Sequence, residues 1–408
     1  MTFVFVFALV LLAAVLISDL ADRSVLSTAV LFLLAGVAFG EGFLGVIQFG
    51  PESSAVSILA ELALFSVLFT DGMKVGLNDL KSAWKLPGRA LLFGLPLTLV
   101  GTALLAHWVA GLPWSEAFLV GAVLSPTDPV FASAIVGREE VPARLRQLLN
   151  VESGLNDGLA LPIVLAMLAV VASERFSLFG VVGEVMLGVG IGVAIPMAAV
   201  WLERTRYFSA HATYQPLNAF AIGLLVLSLS STLHANEFLA AFAAGITIAT
   251  IAPEIRSSFH HFGELVAEIL KLAALLVFGA LISPKFLGQI PAVGYLFAVL
   301  AVLVVRPVAL SISLAGSPLG WRETATAAWF GPKGFASVVF GLLILDKAKL
   351  TSFEEGRADQ LFHLVAICVV GSILVHSSTD VLAARWLGRA RPVDGEAEAK
   401  PSPAPKSR

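Results

Sequence analysis

Leu124-Ser125-Pro126-Thr127-Asp128-Pro129 and, about 25 residues further on, Glu152-Ser153-Gly154-Leu155-Asn156-Asp157-Gly158 decide how this chain is read. Both clusters sit inside runs that are otherwise apolar enough to lie in lipid. Asp128, Glu152 and Asp157 are therefore carboxylates where a bilayer makes charge expensive, and such groups mark an ion or proton path by default. Pro126 and Pro129 bracket Thr127-Asp128 and remove backbone donors, so the helix carrying them is expected to break there.

The composition around this stretch agrees. Of 408 residues, 58% are hydrophobic and 13% charged, against about 25% charged in an ordinary soluble domain. The chain reads as an all-α polytopic membrane protein. A net charge of −3 decides little, because placement matters more than sum. The single cysteine, Cys368, excludes a disulfide within the chain and any multi-cysteine metal site. A membrane span needs roughly 17–25 apolar residues. That gives thirteen candidates, near 2–18, 25–47, 53–73, 89–110, 115–136, 148–171, 177–202, 216–234, 237–252, 262–283, 289–314, 322–345 and 360–386. Residues 1–386 form one transmembrane domain on this reading, and 387–408 a short disordered cytoplasmic tail. The first run lacks a basic leader and a clear cleavage site, so it reads as a retained helix. With the N-terminus outside, eighteen Lys and Arg fall on the inside and five outside. That bias sets the expected orientation, multi-pass in the cell membrane with the C-terminus cytoplasmic.

A second break lies in the twelfth candidate, at Gly331-Pro332-Lys333-Gly334. Halves of about 1–171 and 216–386, linked by the span at 177–202, put each break in the fifth span of its half. Broken helices at matching places point to inverted repeats and alternating access. No sequence identity links the halves, so the repeat rests on position.

The chemistry follows from spacing. Glu152 and Asn156 share a helix face, as do Ser153 and Asp157. Gly154 and Gly158 make a small-residue groove in which the broken fifth span is the expected neighbour. Asp157, Ser153 and Asn156 would then face Thr127-Asp128, and carboxylates, hydroxyls and freed carbonyls suit a small hard cation. A buried carboxylate also binds protons readily, so one group could hold a cation or a proton but not both, which suffices for exchange. Arg306, before Pro307, is the best partner for Glu152; Lys333 could offset Asp128, or pair with Glu152 instead.

Thr-Asp-Pro followed by Glu-Ser-Gly-Leu-Asn-Asp-Gly resembles the NhaP-type branch of the monovalent cation:proton antiporters. The resemblance extends to Phe65–Gly72, Phe238–Gly245, Arg306 and Trp329–Gly334. It implies thirteen helices with two crossed broken helices, divided into a six-helix core bundle and a dimerisation domain, and a homodimer. It implies ion binding at Asp157 with Asn156 beside it, further ligands at Asp128, Thr127 and Ser153, and a structural pair Glu152–Arg306. Asparagine at 156 implies electroneutral exchange of one Na⁺ (or Li⁺) for one H⁺, with K⁺/H⁺ exchange as the alternative. The chain has Lys333 where many members carry arginine, a titratable point charge in place of a planar fork.

Several residues have plainer readings. Asp128 could be a cap on a half-helix. Asp71, before Gly72, reads as interfacial, and Glu41 and Glu61 as interfacial or lining a vestibule. His234, Asn236 and Glu237 read as a solvated turn, and His260-His261 as surface. No His-Glu-x-x-His, Gly-x-Ser-x-Gly or Walker sequence occurs. An enzyme, an ATP-driven pump, a cofactor and a nucleic-acid partner are not expected. A channel is disfavoured by titratable carboxylates at paired breaks.

Overall fold

The computed structural model describes residues 1–18, 27–48, 53–74, 85–128, 141–172, 178–205, 211, 214–350 and 356–388. Pro129, the loop cations Arg23, Lys81, Arg138, Arg175 and Arg206, and residues 389–408 lie outside them. The helices are α1 (Thr2–Leu16), α2 (Thr28–Phe39), α3 (Ser54–Lys74), α4 (Lys85–Trp108), α5 (Trp114–Val123), α6 (Ala143–Val171) and α7 (Leu178–Glu203). They continue with α8 (Gln215–Thr232), α9 (Glu237–Ile251), α10 (Pro253–Leu281), α11 (Ala292–Ser313), α12 (Trp321–Trp329), α13 (Phe335–Leu350) and α14 (Arg357–Gly388).

A helix lies in each expected segment, but the count of thirteen spans is not reached. Among the described residues seven helices are long and apolar enough to cross a membrane by length and composition. These are α3, α4, α6, α7, α8, α11 and the Arg357–Thr379 part of α14. The shortfall has local causes. α1 and α2 have 15 and 12 residues, short of the roughly 17 a span needs. α5 and α12 stop at the two breaks. α10 runs for 29 residues but carries Glu254, Arg256, Glu264, Glu268 and Lys271. α14 extends through Gly388, two residues into the expected tail.

The helices pack in two groups. α3 lies against α9 and α10, α2 against α10, α7 against α9, and α8 against both α9 and α10. In the other group α4 packs on α5 and α11, α6 on α5, α11 on α12 and α14, and α13 on α14. The groups meet where α3 touches α13 and α6. Gly158 of α6 points across this seam: a methyl there would come within 2.7 Å of the Phe242 ring on α9. The near neighbour at Gly158 is thus α9, while the broken fifth span crosses α6 with Thr127 at Asn156 and Ser153. α5 presses Gly121 against the backbone of Leu99 in α4.

Corresponding elements of the two expected halves share local features that a search for identity misses. α4 and α11 each contain a π-helical turn, Ala90–Gly94 and Ala301–Val305, followed at once by Leu95-Pro96 or Arg306-Pro307. A proline donates no hydrogen bond and crowds the preceding turn, and a widened turn accommodates it. α5 and α12 both open with Trp-x-Glu, at Trp114–Glu116 and Trp321–Glu323. Each glutamate sits in a first turn, where the helix dipole favours an anion. Each pairs across to the other half: Glu116 with Arg357 of α14 at 3.4 Å, and Glu323 with Arg144 of α6 at 2.5 Å.

Candidate functional site

The two breaks cross each other. After α5 ends, Pro126–Asp128 runs without helical hydrogen bonds, and Gly331–Gly334 does the same between α12 and α13. The Asp128 amide donates to the Pro332 carbonyl at 3.0 Å, which joins the two unwound strands. The Asp128 carboxylate accepts from the Phe335 amide at 3.3 Å, so it caps α13. The capping reading of Asp128 and its place at the crossing are thus compatible. Ser337 of α13 donates to the Val123 carbonyl at 2.7 Å and satisfies the end of α5. Gly334 has to be glycine here, because a methyl would overlap the Asp128 side chain.

α6 supplies the next set of groups. Asn156 Nδ2 donates to Thr127 Oγ1 at 2.6 Å, and Ser153 Oγ lies 3.5 Å from the same hydroxyl. Among the described residues Asn156 Oδ1 is buried with no hydrogen-bond partner. Such an orphan is costly, and its carbonyl oxygen is the kind of ligand a cation takes. Asp157 is 6% exposed. No hydrogen bond or ion pair to it occurs among the described residues.

Asp157 and Asp128 open onto a cavity of 370 Å³, also lined by Thr70, Asp71, Lys74, His261, Glu264, Glu268, Lys271 and Phe335. The cavity reaches solvent at one side, where Lys74 and Glu264 are each 41% exposed. Asp71 is therefore not interfacial, as its sequence context suggested; it is buried in the wall of this cavity. Lys74 pairs with Asp71 at 2.9 Å and with Glu264 at 3.7 Å. Lys271 pairs with Glu268 at 2.5 Å. Sequence reading missed Asp71, Lys74 and this second pair as members of one cavity, since they stand on helices remote in the chain. The available signal was five charges on α10, otherwise an apolar helix.

Glu152 faces away from the cavity. Its two oxygens accept from Arg306 Nη1 and Nη2 at 2.9 and 3.0 Å, and Nη2 also donates to the Phe330 carbonyl at 3.2 Å. Arg306 thereby ties α6 to the second break. Gly331 makes the room, because a methyl there would overlap the guanidinium. Lys333 is not paired with Glu152, and its ammonium does not reach Asp128: among the described residues Nζ is buried with no hydrogen-bond partner, beside the charges of Arg306 and Glu152. Its backbone amide donates to Ser372 Oγ at 2.7 Å. His376 lies 3.1 Å from the same hydroxyl and 3.0 Å from the Trp329 carbonyl. Ser372 and His376 on α14 were not singled out in the sequence, because lone polar residues on apolar helices carry no motif.

Of the other polar residues, Asn236 caps α9 by accepting from the Leu239 amide at 2.8 Å, and His260 lies 3.3 Å from Glu264. Neither residue meets Asp157.

Comparisons with known proteins bear on this arrangement. Residues 6–385 match the family described as sodium/hydrogen exchanger, transmembrane. The chain is 25% identical over 414 residues to the K(+)/H(+) antiporter NhaP2 of Shewanella baltica (strain OS223), covering 100% of this chain and 69% of that protein. It is 25% identical over 391 residues to the K(+)/H(+) antiporter NhaP of Alkalimonas amylolytica, covering 93% of this chain and 65% of that one. The fold is like that of the sodium proton antiporter MjNhaP1 from Methanocaldococcus jannaschii at pH 8. The TM-score is 0.76 at 20% sequence identity, over 95% of this chain and 100% of that one.

Proposed function

The chain belongs to the sodium/hydrogen exchanger family, whose members are membrane transporters and not enzymes, and from that premise we propose that it exchanges a monovalent cation for H⁺ by alternating access. The observation that carries this reading is Asp157: a buried carboxylate without a partner among the described residues, in a cavity that opens to solvent at one side. A carboxylate so placed binds either a cation or a proton, and the one that binds excludes the other. Asp128, Ser153, Thr127 and Asn156 Oδ1 offer further oxygens, and Asp71 adds a third acid to the cavity wall. Asn156 brings no charge of its own, which supports a 1:1 electroneutral exchange.

K⁺ is the better-supported cation. The two sequence relatives described above, which span all or nearly all of this chain, carry K(+)/H(+) antiporter names. Sodium stands in the description of the family as a whole and in the names of solved structures at 20% identity, a likeness of fold alone. The earlier expectation of Na⁺ or Li⁺ accordingly gives way to K⁺ as first choice.

The remaining architecture is part of the same proposal. The crossed pairs Glu116–Arg357 and Glu323–Arg144, and the paired π turns, support inverted repeats over about 1–171 and 216–386. The group built on α4–α6 and α11–α14 would be the moving bundle. The group built on α1–α3 and α7–α10 would be the scaffold through which a homodimer forms. With the N-terminus outside, the open cavity faces the cytoplasm across the cell membrane.

The test is exchange in proteoliposomes. A pH gradient is imposed, K⁺, Na⁺ or Li⁺ is added, and proton movement is followed with a dye. K⁺ is expected to dissipate the gradient most effectively, and Asp157→Asn to abolish the response while leaving a folded protein. Wild-type exchange rates in Asp157→Asn would sink the site; a response to Na⁺ and none to K⁺ would reverse the cation order.

A further inference from the structure

The charges lining the cavity do not all belong to the binding site. Its wall carries Asp71, Asp128, Asp157, Glu264 and Glu268 against Lys74, Lys271 and His261. Lys74 is half-exposed at the mouth and held by two acids. Lys271 is different. Its side chain is 6% exposed, whereas Glu268, the acid that holds it at 2.5 Å one turn earlier on α10, is 35% exposed. The ammonium thus lies inside and its counter-charge towards solvent. Lys271 also interacts electrostatically with Asp128 and Asp71. It stands on α10, in the group opposite to the one that carries Asp128 and Asp157.

From this placement we infer that Lys271 is a tethered competitor of the transported cation, and that Glu268 sets how strongly it competes. The inference rests on the reading of Asp157 and Asp128 as the cation site. A lysine ammonium is a compact monovalent cation on a flexible four-carbon stem. In an empty cavity, the acids at its base repel one another in a medium that screens poorly. An ammonium that swings from Glu268 towards them offsets that repulsion. An arriving cation has to displace it, and Lys271 then returns to Glu268. The side chain lowers the apparent affinity for the substrate without being one of its ligands, and it keeps an unloaded site from remaining bare.

The consequence is a pair of opposite shifts in KM. In proteoliposomes, Lys271→Gln lowers the KM for K⁺ by about fivefold, the size expected of one charge acting across a partly solvated cavity. Glu268→Gln releases the ammonium and raises KM by a few-fold. The double variant behaves as Lys271→Gln, because Glu268 acts through Lys271. A merely structural role would move both single variants the same way, through the maximal rate. An unchanged or raised KM in Lys271→Gln overturns the inference. Should that variant fail to insert, Glu268→Gln decides alone: a raised KM supports the competitor, and an unchanged or lowered one overturns it. Failure of the underlying site reading shows separately, as exchange that survives Asp157→Asn.

Discussion

The two breaks share a scaffold and differ in chemistry. Each follows a helix that opens with Trp-x-Glu, whose glutamate pairs with an arginine remote in the chain, and the two are joined by a backbone hydrogen bond. The first break carries an acid, Asp128, which lines a cavity, and its Thr127 hydroxyl meets the Asn156 amide, whose oxygen retains spare acceptor capacity. The second carries a base, Lys333, and is sealed by Arg306, Ser372 and His376, away from that cavity. The difference teaches that a near-symmetric crossing positions the backbone, while side chains from α6 and α14 decide what chemistry surrounds each break.

The largest effect that would break this comparison is expected from the two glycines. A methyl in Gly331→Ala overlaps the Arg306 guanidinium, and one in Gly334→Ala overlaps Asp128. Gly331→Ala is expected to lose most folded protein on size-exclusion in detergent. Gly334→Ala is expected to remain folded to a greater extent but to lose cation-driven proton movement. Equal loss of fold in both would remove the distinction between a sealing and a serving break.

Next comes the buried pair. Glu152→Gln leaves Arg306 charged and poorly compensated at 4% exposure, a change that costs about 3–5 kcal/mol in typical buried pairs. The expected outcome is a lower melting temperature with little change in the KM for cation. A shifted KM at unchanged melting temperature would move Glu152 from the frame of the site into the site itself.

Asn156→Asp sharpens the electrical half of the comparison. It adds a carboxylate and removes the donor to Thr127 Oγ1. Wild-type vesicles are expected to take up cation under a pH gradient but not under a voltage alone; the variant is expected to respond to voltage. The voltage is imposed with a gradient of the permeant anion thiocyanate, free of K⁺, and uptake is read with labelled Rb⁺ as a stand-in for K⁺. Voltage-driven uptake by the wild type would refute 1:1 exchange.

The smallest effects concern the crossed anchors. Arg144 and Arg357 are partly exposed, so Glu323→Gln and Glu116→Gln are each expected to cost at most about 1 kcal/mol of stability. The two losses should be of similar size. A large loss in one alone would argue against equivalent anchors.

Part of the site is legible in the sequence. Asp128, Glu152 and Asp157 stood out because charge in an apolar run is rare, and the prolines beside Asp128 and the Gly-Pro-Lys-Gly segment announced their breaks through backbone chemistry alone. The partnership of Glu152 and Arg306 could be anticipated because two opposite buried charges need each other. Asp71 could not be placed, since a helix end followed by glycine looks the same at an interface and in a cavity. Close approach at Gly158 could be anticipated, but not that the Phe242 ring of α9 also comes there: small residues announce close approach, not every helix that approaches. The number of spans was overcounted for a related reason, since apolar length in sequence takes no account of where a helix stops.

What the sequence determined by itself was the class of molecule, an all-α membrane chain with two interrupted helices and a short set of intramembrane charges, because the cost of burying charge and backbone in lipid is local and can be summed residue by residue. What only the tertiary structure decided was the division of labour among those charges. Asp157 opens to a cavity, Asp128 caps α13 at the crossing, Glu152 is spent on Arg306, Lys333 is sealed away, and Lys271 enters the cavity from a helix about a hundred residues distant in the chain. Electrostatic partnership depends on distance in space, and the chain alone does not fix which distant helices meet.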